Sequence, residues 1–106
     1  MAITYKTFTK VFIKEFNRVI EESIEDAEIP ESTYAKIKGS SNRGEEELLV
    51  IECEINGEST SVETPMSYLY HLYCYHDIAI LDMVFYILEQ FTKGIVQIYI
   101  KIGKNL

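Results

Sequence analysis

The sequence predicts an α+β domain in which a small, mainly antiparallel sheet carries helices on one face. Apolar residues recur every three or four positions in some segments, which is typical of amphipathic helices. In other, shorter segments they alternate with polar residues, which is typical of strands. An Asn-Gly pair between two of the alternating segments favours a tight hairpin. The predicted element order is α-β-β-β-α-α-β.

Length and composition favour one globular domain spanning residues 1–106. The chain has 47% apolar and 25% charged residues, which is the balance of a folded domain. No apolar run approaches the roughly 20 residues that span a bilayer. The charged residues 1–14 lack the apolar centre of a signal peptide. Two cysteines, Cys53 and Cys74, make no disulfide framework, so a reducing cytoplasmic location is expected.

The first helix is predicted from Thr4 to Asp26. Its buried stripe follows helical spacing and comprises Tyr5, Phe8, Phe12, Phe16, Val19, Ile20 and Ile24. Its charges run from basic at the start to acidic at the end, the reverse of what the helix macrodipole favours. This inversion is either tolerated or marks a surface kept for binding.

Three strands are predicted next, over residues 33–38, 47–56 and 58–64. Asn56 and Gly57 suit a type I′ turn, which fixes the hairpin register. The register pairs Ile55 with Glu58, Glu54 with Ser59, Cys53 with Thr60, Glu52 with Ser61, Ile51 with Val62 and Val50 with Glu63. Side chains alternate across a strand. Glu52, Glu54 and Glu63 are therefore expected close together on the outer face.

Two helices and a last strand complete the prediction. Thr64 and Pro65 are expected to open a helix that ends near Tyr75. Asp77 is the expected N-cap of a third helix ending near Lys93, with Gly94 just beyond it. The core face of this helix is predicted to be Ile78, Leu81, Val84, Phe85, Leu88 and Phe91. Residues 95–102 alternate and predict a strand, the alternative being that the helix continues beyond Gly94.

Charge is segregated along the chain, whose formal net charge is −7. Residues 44–92 contain ten acids and no lysine or arginine. Direct nucleic-acid binding is therefore disfavoured. The acids either keep the domain soluble or form a face for a basic protein partner. The second interpretation requires that Lys36, Lys38, Lys101 and Lys104 do not lie among the carboxylates.

Catalytic motifs are absent from the sequence. It has no glycine-rich phosphate loop and no nucleophile elbow, so no enzyme and no cofactor are predicted. His71, Cys74 and His76, with Cys53 approaching from the sheet, are of types that bind zinc. Their spacing matches no metal motif, and ordinary packing is the favoured interpretation.

Eight residues are the candidate partner-binding set: Glu45, Glu46, Glu47, Glu52, Glu54, Glu63, Tyr70 and Tyr75. The two tyrosines are included because four tyrosines lie between residues 68 and 75 and one helix cannot bury all of them. Tyrosine is enriched at interfaces. A homodimer formed through this helix or through the last strand is the alternative use of these side chains.

Two resemblances accompany these patterns. The run Pro65, Met66, Ser67, Tyr68 and Leu69 with Tyr73, between an acidic hairpin and a helix, resembles a segment of uncharacterised bacterial proteins over residues 48–92. That resemblance implies no activity. In size and acidity the chain is similar to small phage-encoded anti-defence proteins, anti-CRISPR proteins among them. Such proteins inhibit by binding.

The expected function is therefore that of a non-enzymatic acidic binding protein. Its carboxylates would contact a basic, nucleic-acid-binding protein such as a host defence nuclease, in the place of phosphates. Two alternatives remain open: a self-associating structural or regulatory module, and a small metal-binding protein that uses His71, Cys74 and His76.

Overall fold

The computed structural model describes residues 3–26, 29–31, 33–39 and 47–104. The elements in chain order are α1 (Tyr5–Glu25), β1 (Tyr34–Gly39), β2 (Glu47–Ile55), β3 (Glu58–Pro65), α2 (Met66–Tyr75) and α3 (Ile80–Lys104). The predicted α+β class is confirmed, and these six elements follow the predicted order. None of the helices in the described ranges is long and apolar enough to cross a membrane.

Helix α1 forms as its spacing predicts. Thr4 is the N-cap, and its hydroxyl accepts a hydrogen bond from the Thr7 backbone N–H at 3.2 Å. This bond satisfies one of the amides that a helix start leaves unpaired. The buried residues are Phe8, Phe12, Phe16, Val19 and Ile20. All five belong to the predicted stripe.

The three strands form one antiparallel sheet in the order β1-β2-β3. Asn56 and Gly57 have φ angles of 51° and 83°, as a type I′ turn requires at both central positions. The predicted hairpin register is confirmed from Ile55 opposite Glu58 to Val50 opposite Glu63. Residue types at the turn thus determine which side chains of β2 and β3 share a face.

Helices cover one face of this sheet, here called the inner face. Leu49, Ile51 and Cys53 of β2 point into a core shared with the phenylalanines of α1 and with Phe91 of α3. The opposite, outer face carries Glu52 and Glu54 into solvent. Burying one such apolar side chain contributes about 1.5–3 kcal/mol.

The free edge of β1 is tied to α1 by one side chain. Asn17 Oδ1 accepts from the Ala35 N–H at 2.9 Å, and Asn17 Nδ2 donates to the Ala35 carbonyl at 3.2 Å. Both backbone groups of Ala35 that face away from β2 are thereby occupied. A second chain is hindered from pairing with the edge at this point.

The predicted final strand over residues 95–102 is wrong, because α3 continues as a helix to Lys104. Ile95 and Ile98 are buried and extend the helical row of Val84, Leu88 and Phe91. Gly94 lies inside the helix, where an added Cβ would overlap the Thr60 side chain. Glycine at this position therefore lets α3 cross close to β3, which is a different role from ending the helix.

The start and the buried face of α3 also differ from expectation. The helix begins at Ile80, and Asp77 is not its N-cap but takes a left-handed conformation with φ 51° in the preceding connection. Phe85 is 55% exposed and Leu81 is exposed too. Met83, Ile87, Ile95 and Ile98 replace them in the core. The buried face therefore differs from the predicted one. The helix continues past Gly94, and Ile95 and Ile98 lie on the same side as Val84 and Phe91.

Helix α2 begins one residue later than predicted. Pro65 is the last residue of β3 and also the N-cap of α2, without a side-chain cap. Thr64 therefore does not cap the helix. At the other end, the backbone N–H groups of His76 and Ile78 both donate to the Leu72 carbonyl, at 3.0 and 3.4 Å. These bonds hold the connection to α3 against the end of α2.

Candidate functional site

The outer face of the sheet brings three of the predicted site residues together. Glu52, Glu54 and Glu63 are all exposed and project from the same side of β2 and β3. A depression of about 370 Å³ lies over this part of the sheet, lined by Tyr34, Glu52, Cys53, Glu54, Ser59, Thr60 and Ser61. The predicted clustering of the hairpin carboxylates on one face is therefore present.

A cation lies among these carboxylates, contrary to expectation. Lys36 Nζ is 2.8 Å from Glu52 Oε1. The antiparallel register sets Lys36 opposite Val50 and Tyr34 opposite Glu52, so Lys36 and Glu52 are diagonal neighbours on the outer face. The hydrogen bond from Lys36, with the charges of Lys36 and Lys38, lowers the pKa of Glu52. Lys36 belongs to β1, which lies outside the acidic segment of residues 44–92.

A second ion pair joins Lys101 Nζ of α3 to Glu58 Oε2 at 3.0 Å. It exists because α3 continues as a helix and carries Lys101 past the hairpin turn. Glu54 and Glu63, in contrast, take neither an ion pair nor a hydrogen bond from any described residue. Of the hairpin carboxylates, these two remain available to a partner.

Glu54 also borders a second depression, of about 510 Å³, at one end of the molecule. We call it the acidic depression. Its lining residues are Ile24, Ile29, Pro30, Glu31, Glu54, Ile55, Asn56 and Tyr99. They come from the end of α1, the segment after it, the hairpin turn and α3. The depression thus combines apolar side chains with two carboxylates.

The carboxyl end of α1 adds negative charge beside this depression. The last turn of α1 contains no basic residue, and the exposed Glu25 and Asp26 follow Ile24 directly. A helix carboxyl end carries about half a negative charge. The inverted charge order of α1 therefore concentrates negative potential at the end of the molecule where Glu31 and Glu54 lie.

The other predicted site residues lie elsewhere. Glu45 and Glu46 fall outside the described residues. Glu47 belongs to the odd-numbered, inner-face set of β2 and accepts a hydrogen bond from the Tyr5 hydroxyl at 3.1 Å. The structure therefore does not bring Glu47 to the face that holds Glu52 and Glu54.

The two tyrosines differ in their surroundings. Tyr70 is half-buried, packs against Phe8 with ring centroids 5.3 Å apart, and donates its hydroxyl to the Ile3 carbonyl at 2.7 Å. The pKa of Tyr70 is raised mainly by a hydrogen bond with Cys74 and to a lesser extent by burial. Its role is packing. Tyr75 is 76% exposed and lies against His71, with ring centroids 4.8 Å apart.

The described histidines and cysteines do not gather as a set of metal ligands. Within residues 3–26, 29–31, 33–39 and 47–104, no three His, Cys, Asp or Glu side chains are placed to hold a metal ion. His71 and His76 meet edge to face at the end of α2, with ring centroids 5.5 Å apart. Burial raises the pKa of the Cys53 thiol, which disfavours the reactive thiolate. The metal-binding alternative is thus left without a site in this part of the chain.

No protein-family model matches the chain, and no curated protein and no solved structure is significantly similar to it. The surface features that suit a binding partner are the carboxylates of Glu54 and Glu63 and the acidic depression.

The Lys36–Glu52 pair predicts a specific pH response. Lys36→Met should raise the pKa of Glu52 toward its ordinary value of 4.5, as measured by carboxyl-carbon NMR titration. Because folding lowers the pKa of Glu52, the stability from this pair is complete above pH 4.5 and is lost as the pH falls through the lowered value. Lys14→Met on α1 is the control and should leave Glu52 unchanged. An identical Glu52 titration in wild type and Lys36→Met would show that the pair does not form.

Proposed function

We propose that the protein is a non-enzymatic binding protein whose carboxylates contact a basic protein partner. Its concrete form is an inhibitor encoded by a phage or mobile element, which acts in the cytoplasm by occupying the phosphate-binding groove of a defence nuclease. The observation that carries the proposal is the acidic depression. Glu31 and Glu54, which have no ion pair with any residue in the described part of the chain, lie there beside apolar side chains and the negative end of α1.

The acidic depression suits an arginine or lysine side chain in two ways. The methylene stem of such a side chain packs on apolar surface while its charged head stays at the polar rim. Ile24, Ile29 and Ile55 supply the apolar surface. Glu31 and Glu54 supply carboxylates, which arginine binds through charge-assisted and often bidentate hydrogen bonds. A basic groove presents many such side chains, and one enters the depression as others meet the outer face.

Glu63 extends the negative surface along the sheet. Alternate residues of a strand are about 6.8 Å apart, so a partner that covers Glu54 also reaches other residues of the outer face. Lys36 neutralises Glu52 between Glu54 and Glu63. The contribution of the outer face is therefore smaller than the block of acids in the sequence implies, and the acidic depression is the centre of the proposed site.

The proposal predicts the effect of two conservative substitutions. Glu31→Gln with Glu54→Gln should weaken binding of a labelled arginine-rich peptide roughly tenfold at low salt, because two unpaired carboxylates at one site are lost. Fluorescence anisotropy measures the dissociation constant. The matched control, Glu47→Gln with Asp77→Asn, removes the same charge at residues that do not line the acidic depression and should change binding less than twofold.

Equal weakening by both double variants would contradict the proposed site, since it would mean attraction by net charge alone. Binding by wild type that is insensitive to salt would contradict electrostatic recognition altogether. The natural partner is then identified by cross-linking in cell extract with wild type, with the Glu31→Gln, Glu54→Gln double variant as the negative control.

A further inference from the structure

Helix α3 has a second apolar surface on the side that its core face leaves open. We call it the α3 exposed face, formed by Leu81, Phe85, Val96, Tyr99 and Ile100. These side chains are between 40% and 57% exposed. At about 100° per residue they lie within roughly a third of the helix circumference. They form two apolar patches on one side of the helix, Leu81 with Phe85 and Val96 with Tyr99 and Ile100, and the exposed Glu89 and Thr92 lie between them.

The α3 exposed face is distinct from the core contact of the same helix. The core row includes Val84, Phe91 and Ile98, which are buried against α1 and the sheet. The outward side of a surface helix is normally polar. Large apolar side chains grouped in water at both ends of one helix side favour an interaction surface.

The order of charges on the same side of α3 indicates the occupant. Asp82 and Glu89 lie in the first half of the helix, whereas Lys93 and Lys104 lie in the second half. A second α3 laid antiparallel places each acidic half against a basic half. A parallel arrangement places like charges together, which is unfavourable. The surface is thus complementary to itself about a two-fold axis.

The apolar residues satisfy the same two-fold arrangement. With the axis beside Thr92, Phe85 lies opposite Ile100 of the second copy, and Asp82 approaches Lys104 of the second copy. Glu89 and Lys93 are 3.9 Å apart within one helix, and both are exposed, so they are free to turn toward a partner helix. Phe85 in the first half of each helix thus meets the apolar residues Tyr99 and Ile100 in the second half of the other copy.

We propose that the protein forms an antiparallel, two-fold homodimer through the α3 exposed face. The inference goes beyond the proposed function, because it concerns a different surface. In the dimer each acidic depression borders the interface through Tyr99, which belongs to both. The two copies of Tyr99 are about 20 Å apart along the helices, given a rise of about 1.5 Å per residue. The dimer thus offers two acidic sites to one partner surface.

Sedimentation equilibrium over a range of protein concentrations tests the dimer. Wild type should dimerise with a dissociation constant on the order of micromolar, as expected for a contact of one helix from each copy. Phe85→Glu should remain monomeric at concentrations at least tenfold higher. Tyr75→Glu, a change of an exposed aromatic residue on α2, is the matched control and should dimerise like wild type.

A charge swap tests the antiparallel direction. Asp82→Lys alone and Lys104→Glu alone should each weaken the dimer, because like charges then meet at both ends. The Asp82→Lys, Lys104→Glu double variant should restore it. A monomeric wild type, a Phe85→Glu variant that still dimerises, or a double variant weaker than either single variant would overturn the proposal.

The dimer and the proposed function can be tested separately. Thermal unfolding of Phe85→Glu at low concentration should match wild type, which shows that the variant folds. Its binding of the arginine-rich peptide reports on the acidic depression alone. A wild-type protein that stays monomeric but binds the peptide overturns this inference only. A wild-type protein that dimerises but does not bind the peptide overturns only the proposed function.

Discussion

Phe91→Ala is expected to lower the free energy of unfolding by about 3–5 kcal/mol. Phe91 is fully buried at the centre of α3, in the core shared by α1, α3 and the inner face of the sheet. Removing its ring leaves a cavity that surrounding side chains fill only in part. A domain of this size has a total stability of roughly 5–15 kcal/mol. The variant should therefore show a large drop in the midpoint of urea unfolding.

The matched control is Phe85→Ala on the same helix. Phe85 is 55% exposed, so at protein concentrations where the chain is monomeric the substitution should cost less than about 0.5 kcal/mol. Urea unfolding monitored by circular dichroism measures both values. Equal costs for the two variants would mean that α3 packs with the phase first expected from the sequence, with Phe85 in the core.

Gly94→Ala and Gly103→Ala should change stability in opposite directions. Alanine normally stabilises a helix interior by about 0.5–1 kcal/mol relative to glycine. Gly103 has open space around it but is the last-but-one residue of α3, so Gly103→Ala should gain up to about 0.5 kcal/mol. At Gly94 the added methyl group would overlap the Thr60 side chain. Overpacking costs about 1–3 kcal/mol, so Gly94→Ala should lose roughly 1–2 kcal/mol net.

Thr60→Ala makes the second prediction more specific. Removing the Thr60 hydroxyl should reduce the cost of Gly94→Ala, giving a favourable coupling in the double-mutant cycle. It should leave the gain from Gly103→Ala unchanged. If Gly103→Ala gave no gain and the Gly94 and Thr60 changes were additive, a helix running past Gly94 and crossing β3 would be ruled out.

Local signals sufficed for the hairpin and for α1. Asn56 and Gly57 are residues that accept positive φ, and this requirement alone sets the pairing of β2 with β3. In α1 the steps from Phe12 to Phe16 and on to Val19 are four and three residues, which fit a helical period and not the two-residue period of a strand. These elements were predictable because neighbouring residues decide them.

Residues 95–102 were not predictable in the same way. Val96, Ile98, Ile100 and Ile102 alternate as in a strand, while Ile95, Ile98 and Ile102 also continue the spacing of a helix. Both periods are present, and β-branched residues favour the strand interpretation. What decides between them is the close crossing of α3 over β3 at Gly94. That contact joins residues far apart in the chain.

The candidate site also has a part that neighbouring residues predict and a part that depends on contacts between distant residues. Glu54 was placed on an exposed face because hairpin register is local. The pairing of Lys36 with Glu52 depends on the register of β1 with β2, for which the sequence has no tight-turn signal. The acidic depression joins Ile24, Glu31 and Tyr99 to the hairpin. Its one sequence signal is the reversed charge order of α1.

The most direct test of the binding account is to map an arginine-rich peptide onto the isotope-labelled protein by NMR. The account predicts that amide shifts change most at Ile24, Ile29, Glu31, Glu54 and Tyr99, and that the changes vanish in the Glu31→Gln, Glu54→Gln variant. Shift changes spread evenly over all exposed acids, with Asp77 and Glu89 affected as much as Glu54, would contradict it.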